Sequence, residues 1–465
     1  MSDTFRPFWL AQALALDDAP PAPPATGPLD VDVCIVGGGY TGLWTAIQAK
    51  QARPDWRIAV IERDICGAGA SGRNGGCMLT WSTKFLSLLA LFGESEAVRL
   101  VRASEQAVGD MADFCQRHGI DAEIRLGGAV YAASNAAQTG ALDRVFSALS
   151  QHGINRWRAL TSAECLRQSG SARLSGGAAS DAAGTLQPAR LVRGLRRVAQ
   201  QLGIGIYEHT PMLTLQAGQP SLVTTPQARI EARQVVLAIN ASMATAFPQF
   251  ARSIVLVSSD MVVTAPQPAV IEALGLGRGQ AVCDLRTFVH YWRSTPDGRL
   301  MLGKGGNDIP FGNRLRPGFD QPSRHRGQLA RALRHFFPAL SDTPIDASWN
   351  GASDRSATGF PFFGRLTGPG QVHYGFGYSG NGVVQSYLGG QILSSLLLGR
   401  DDAWTRSGLA RGPLALFPPE PLRWCGATLV RNAIRRKEIA EDEGRPPARL
   451  DRYLSRYASM AAKAD

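Results

Sequence analysis

Short apolar runs, broken by glycine-rich turns, alternate along this chain with stretches of helical character. Val31–Val36 (VDVCIV) is apolar and rich in β-branched residues, which predicts a buried strand. Gly37-Gly38-Gly39-Tyr40-Thr41-Gly42 follows at once, and Leu43–Arg53 then predicts a helix stopped by Pro54. Ile58–Ile61 (IAVI) predicts a second strand with Glu62 at its end. Further on, Glu94–His118 reads as a long helix, and Ile204–His209 and Val235–Asn240 read as strands. Ser253–Thr264, Phe288–Arg293 and Arg299–Gly303 read as antiparallel strands. Val372–Gly399 reads as strand, glycine-rich turn and helix. Ala19–Pro28 is Pro/Ala-rich and reads as an extended linker behind an arm whose Phe5, Phe8 and Trp9 pack on the body. At the other end a helix carrying Arg431, Arg435, Arg436 and Lys437 is followed by a charged helix over about Leu450–Met460.

The order strand, glycines, helix, strand, acid carries chemistry. Gly37, Gly39 and Gly42 form G-x-G-x-x-G, and Glu62 lies twenty residues after Gly42. In that frame the first glycine permits the tight turn, the second lets the backbone approach a pyrophosphate, and the third seats the helix on the strand. The helix N-terminus favours the phosphate charge, and Glu62 can accept from a ribose hydroxyl. Directly after the second strand comes Gly67–Gly76 (GAGASGRNGG). A nicotinamide enzyme has no use for a second glycine-rich stretch there, whereas the pyrophosphate and ring of a flavin extend past the first helix. The reading is therefore FAD. Two further glycine patterns are decoys. Gly375, Gly377 and Gly380 repeat the formal spacing, but no strand with a terminal acid follows the helix. Gly298–Gly305 approaches a P-loop but lacks the Ser or Thr after Lys304 that would ligate magnesium.

Charge and cysteines narrow the class. The 465 residues suffice for two or three domains, and net charge is +11, with only five of the 49 basic residues lysines. No zinc finger, RNA-binding aromatic motif or DNA-binding helix pair accompanies that charge, so nucleic acid is set aside. The seven cysteines are scattered and form no C-x-x-C, which argues against a disulfide framework and against metal ligation. No run of about 18 apolar residues occurs and no signal-peptide pattern stands at Pro7–Leu16, so a cytoplasmic protein without a transmembrane segment is expected.

With these motifs, the chain resembles the D-amino-acid oxidase / glycine oxidase superfamily of flavoproteins. Its GASGRNGG stretch is most similar to the branch containing γ-glutamylputrescine oxidase and related amine oxidoreductases. Thr185–Arg196, Val235–Asn240, Pro361-Phe362-Phe363-Gly364 and Gly375–Gly382 carry the resemblance further. It implies an α/β plus α+β fold. A Rossmann-like FAD-binding domain, discontinuous over 29–90, 155–240 and 345–400, is expected beside an antiparallel-sheet substrate domain over 91–154 and 241–344. An N-terminal arm and linker (1–28) and a C-terminal helical extension (401–465) flank them. The expected cofactor contacts are Gly37, Gly39, Tyr40, Thr41 and Gly42, then Glu62 and Arg63, then Ala70, Ser71, Arg73, Asn74, Gly75 and Gly76. Met212 falls at the family's adenine-facing position, and Gly377, Gly380, Asn381, Gly382 and Val383 precede a helix whose dipole would stabilise negative charge on the reduced ring.

The family oxidises a C–N bond by hydride transfer to flavin N5, giving an imine that water hydrolyses. The amine must be neutral, which a low-polarity pocket favours. Period-two alternation places Val289, Tyr291 and Arg293 on one face of their strand, and His290 and Trp292 on the other. Tyr291 matches loosely a substrate-contacting tyrosine of the family, with an ordinary core tyrosine as the alternative. His290 reads more as structural than catalytic, and Lys304 is open between polarising oxygen, binding an anion and lying on the surface. Amino-acid oxidases of the superfamily carry a carboxylate-clamping Arg eight residues before the Pro of P-x-x-G. Here that position is Ser353, with Arg355 two residues on as a candidate replacement. An amine substrate gains from this, and an amino acid or N-methyl amino acid is the alternative. No Cys lies between Ala347 and Phe360 and no His in GASGRNGG, the family's attachment points, so non-covalent FAD is expected. The acceptor, oxygen or another, and the oligomeric state stay open. A flavin hydroxylase, an NAD-linked reductase and a non-catalytic FAD-binding subunit remain rival readings.

Overall fold

A computed structural model describes residues 5–461; the expected arm and tail run past these limits, and 1–4 and 462–465 lie outside the described residues. Two eight-stranded sheets organise the described residues, with a two-stranded sheet beside them. In the first, the strands Phe362–Arg365, Gln371–Phe376, Ala228–Leu237, Gly27–Val36, Ile58–Ile61 and Gly205–Tyr207 lie side by side in that order, with Ser221–Thr224 added along Ala228–Leu237 and Thr214–Gln216 beside it. The five from Gln371–Phe376 to Gly205–Tyr207 are parallel. The first strand begins at Gly27, four residues before its apolar run, because its outer half is exposed and only the inner six residues are buried. The helix Tyr40–Ala52 follows Gly39 directly. Its Trp44 packs at a small residue, Gly390, of the helix Gln385–Leu397, where an added Cβ would lie 2.8 Å from Trp44 Cβ.

The second sheet runs Ile345–Ser356, Ile254–Thr264, Leu300–Gly305, His290–Ser294, Ala281–Asp284, Ala129–Ala133, Gly176–Ser180, Trp157–Leu160. It is antiparallel except where Ala281–Asp284 runs parallel to Ala129–Ala133. Three of its strands, Trp157–Leu160, Gly176–Ser180 and Ile345–Ser356, were expected on the cofactor side. Ile345–Ser356 instead pairs along nearly the whole of Ile254–Thr264. The small and polar residues of GGAAS and WNGASDRS hide strand alternation, and the pairing is decided by partners far away in sequence.

The arm holds a helix, Phe8–Leu14, with Trp9 and Leu10 fully buried. Phe8 and Trp9 both pack against Trp349 of the second sheet. The linker behind it is tied down: Ala22 N donates to Glu208, and Ala25 N to Thr210. Glu208 in turn pairs with Arg193, which also holds Asp17. At the other end the helices Leu422–Asp442 and Arg449–Ser455 pack on each other through Arg436 and Asp451. Among the described residues no helix is long and apolar enough to cross a membrane.

Candidate functional site

A cavity of about 1020 Å³ opens at the carboxyl ends of the parallel strands, lined there by Val36, Ile61, Ala238 and Gly375. Such crevices are where open α/β sheets take ligands. At roughly 300–1,000 Å³ for ordinary ligand pockets, it has room for an extended group and a small partner. The second sheet forms the facing wall through Ser258, Ser259, Met261, Cys283, Val289, Tyr291 and Gly305. A smaller hollow of about 560 Å³, lined by Arg326, Arg331 and Arg334, is an open surface groove away from these strand ends.

The first turn is built as its glycines require. Gly37 has φ +116°, and a Cβ there would lie 2.5 Å from the Ala238 carbonyl; one on Gly42 would lie 2.0 Å from the Gly37 carbonyl. Gly37, Gly39, Tyr40 and Thr41 line the cavity, while Gly42 lies behind it and seats the helix. Ser71 Oγ accepts from the Tyr40 amide at 2.9 Å, tying the second glycine stretch to the start of the helix. Glu62 accepts from the Gly38 amide at 2.8 Å and from Asp64 N at 3.1 Å. Burial raises its pKa, and those amides oppose the rise. Arg63, Ala70, Ser71, Met212, Gly380, Asn381, Gly382 and Val383 also face the cavity, the last four just ahead of the helix Gln385–Leu397.

Several expected contacts also brace the turns beside the cavity, which Arg73, Asn74 and Gly75 line. Arg73 borders the cavity, but its guanidinium is held by the Ala68 and Phe319 carbonyls and by Asp320. Asn74 donates to Ala70 O and Ser71 O and accepts from Gly76 N, so its side chain shapes the turn. Gly76 lies outside the lining; its φ is +70°, and a Cβ would lie 2.0 Å from Leu186 O. Gly377, also outside it with φ +85°, donates its amide to Asp354. Burial pushes the Asp354 carboxyl up to about 7, although backbone amides pull the other way.

The substrate-side candidates divide by strand face. Tyr291 lines the cavity, its Oη 2.9 Å from Ser259 Oγ, and burial pushes its pKa far up. Arg355 also lines it. Its Nη2 is 3.6 Å from where a Gly305 Cβ would sit and 3.9 Å from that of Gly380, so it lies where the two walls meet. Burial lowers its pKa to about 10, leaving it cationic at neutral pH. His290 and Lys304 pair across adjacent strands and face away from the cavity. His290 Nδ1 meets Asp284 at 2.9 Å, and Lys304 donates to the Phe288 carbonyl. Lys304 is buried, not on the surface. Burial, then the nearby Lys304 charge, lower the His290 pKa to about 4. Both belong to a charge network with Arg286 that reaches Asp442 on the C-terminal helix.

Sequence reasoning passed over several lining residues: Ser258, Ser259, Cys283, Asp354, the loop Leu315–Gln321, and Phe5 and Arg6 of the arm. Asn240, seen only as a strand end, has φ +50° and an Oδ1 that finds no hydrogen-bond partner among the described residues, and it lines the cavity. Ser353 Oγ is likewise unsatisfied there. Buried polar atoms of this kind ask for a ligand or water. With the glycine cradle, the strand-end acid and the helix N-terminus, they fit a flavin dinucleotide.

This fold and cradle define a dinucleotide-binding oxidoreductase. The family model for DAO, the FAD dependent oxidoreductases, matches residues 32–396, and the chain belongs to that family. It is an FAD-dependent enzyme. Among relatives, it is 27% identical over 389 residues to the gamma-glutamylputrescine oxidoreductase of Escherichia coli (strain K12), spanning 83% of this chain and 88% of that one. It is 22% identical over 391 residues to the glycine oxidase of Bacillus licheniformis, spanning 79% and 93%. The crystal structure of glycine oxidase from Geobacillus kaustophilus superposes with a TM-score of 0.67 at 22% identity, over 82% of this chain and 99% of that one.

Proposed function

We propose that this enzyme oxidises the C–N bond of a primary or secondary amine to an imine, which water hydrolyses. Non-covalent FAD supplies the hydride acceptor. The similarity to gamma-glutamylputrescine oxidoreductase and to glycine oxidase supports this class of donor. The observation that carries the reading is the pairing, in one cavity, of an apolar stretch of wall with a cation, Arg355. Met261, Val289 and the Tyr291 ring disfavour an ammonium and so favour the neutral amine. The Tyr291 and Ser259 hydroxyls can orient its nitrogen. Arg355 shares a strand face with Ser353, two residues away, and offers a cation to an anionic group elsewhere on the donor. That also favours an amine bearing a carboxylate, as in an amino acid or N-methyl amino acid. The enzyme works in the cytoplasm on this reading, which seven cysteines held in no disulfide suit.

An anaerobic panel of primary amines, N-methyl amino acids, polyamine conjugates and aminophosphonates tests it. Flavin colour is expected to bleach with at least one amine carrying an anionic group. Bleaching by NAD(P)H alone would move the enzyme to the reductases, and no bleaching by any amine would defeat the proposal. Admitting air after bleaching then reports whether oxygen is the acceptor.

A further inference from the structure

The family match begins at residue 32, yet Phe5 and Arg6 line the cofactor cavity. Arg6 is fixed there by two hydrogen bonds to Asp64, at 2.7 and 2.9 Å, two residues beyond the strand-end acid Glu62. Asp64 occupies two of the five N–H donors of a guanidinium, so Arg6 keeps capacity for an anion. Its neighbours sharpen the point. Arg63 and Arg73 line the cavity with it, so three guanidinium-bearing residues border the cofactor space. Asp64 and Asp320 balance two of them.

The arm is also anchored to the glycine-rich loop. Its Trp9 is fully buried, and the Trp9 carbonyl accepts from Gln187 at 2.9 Å. Phe8 and Trp9 pack on Trp349, whose Nε1 donates to the Arg73 carbonyl at 2.8 Å. The strap and the loop therefore share one aromatic joint.

We propose that Phe5–Leu14 is a strap completing the FAD site from outside the family's core, with Arg6 the cation that it delivers to the cofactor's adenosine diphosphate half. Phe5 covers the same end from solvent, and the Trp9 anchor holds both in place. The role follows from the cofactor site and not from the amine reading, so either can fail without the other.

The test measures cofactor retention in the full-length holoenzyme. FAD release on dilution, followed by flavin fluorescence, and FAD affinity on reconstitution are compared for the parent, Arg6→Ala, Arg6→Lys and a variant lacking residues 1–6, all of which keep the Trp9 anchor. Arg6→Ala is expected to weaken FAD about tenfold, the size of one charge-assisted contact. ADP, as a competitor, should weaken in the same ratio, riboflavin affinity should hold, and Arg6→Lys should recover part of the loss. Hydrogen exchange in the arm should slow when FAD binds. FAD affinity unchanged within twofold in Arg6→Ala, or an equal loss for riboflavin, would overturn the assignment. An unaltered melting temperature of the FAD-free variant separates the loss from misfolding.

Discussion

Arg293 donates its Nε–H to the carbonyl of Gly75 at 2.7 Å, so the second sheet grips the glycine-rich loop of the cofactor site. The same guanidinium lies 4.6 Å from the Trp9 ring of the arm. It is fully buried, and burial lowers its pKa to about 10. Replacing it with Met strands a buried carbonyl, at about 1–3 kcal/mol, and removes a desolvated cation–π contact of about 2 kcal/mol. Relief of burying a charge offsets part of this. A net loss of about 2 kcal/mol is expected, read as a lower melting temperature together with faster FAD release.

Gly42 has no room for a side chain, because a Cβ would stand 2.0 Å from the Gly37 carbonyl. Gly42→Ala must push the helix Tyr40–Ala52 off its strand and is expected to purify nearly colourless. Gly109, inside the helix Glu94–Arg117, meets nothing within 4 Å. Gly109→Ala should therefore keep its flavin and gain about 1 kcal/mol from helix propensity. Visible absorbance per protein and thermal melts distinguish the two.

Arg355 stands where the cavity walls meet. Arg355→Gln is expected to raise KM at least about tenfold for an amine carrying an anionic group, about 1.4 kcal/mol or more. For a neutral amine KM should move far less. Equal effects on both would remove Arg355 as the anchor.

Tyr291 contributes a ring to the wall and a hydroxyl to Ser259. Tyr291→Phe loses one hydrogen bond, about 1 kcal/mol, and should lower the rate of anaerobic flavin reduction more than it lowers the melting temperature. Tyr291→Ala leaves a void beside Gly75 and Gly303 and should lower the melting temperature more than Tyr291→Phe does.

His290 titrates near 4 in the fold against an ordinary 6.5, from burial and the Lys304 charge. Between those values the unfolded chain holds more protons than the folded one, so stability falls as pH drops through this window, by roughly 3 kcal/mol at most. Asp284, held to about 2 against burial by His290 and neighbouring cations, adds a second loss below its ordinary 3.8. Melting temperatures measured from pH 7 down to 4 should decline in the parent and less steeply in His290→Asn.

Much of the cofactor site is local in sequence and was legible there. Gly37, Gly39 and Gly42 act through backbone clearance over six residues, and Glu62 through its place at the end of an adjacent strand. Alternation within one strand likewise separated Tyr291 from His290. What stayed hidden depends on pairing between distant segments. Nothing in SWNGASDRS announces that it runs beside Ile254–Thr264, because strand partners are chosen by long-range packing. Nor does the chain around Arg73 reveal that Asp320, far along the sequence, takes its guanidinium. The sequence alone thus determined the dinucleotide cradle, whose chemistry is a matter of backbone and spacing. Only the tertiary structure decided which side chains close it, since that depends on which charges and faces folding brings opposite one another.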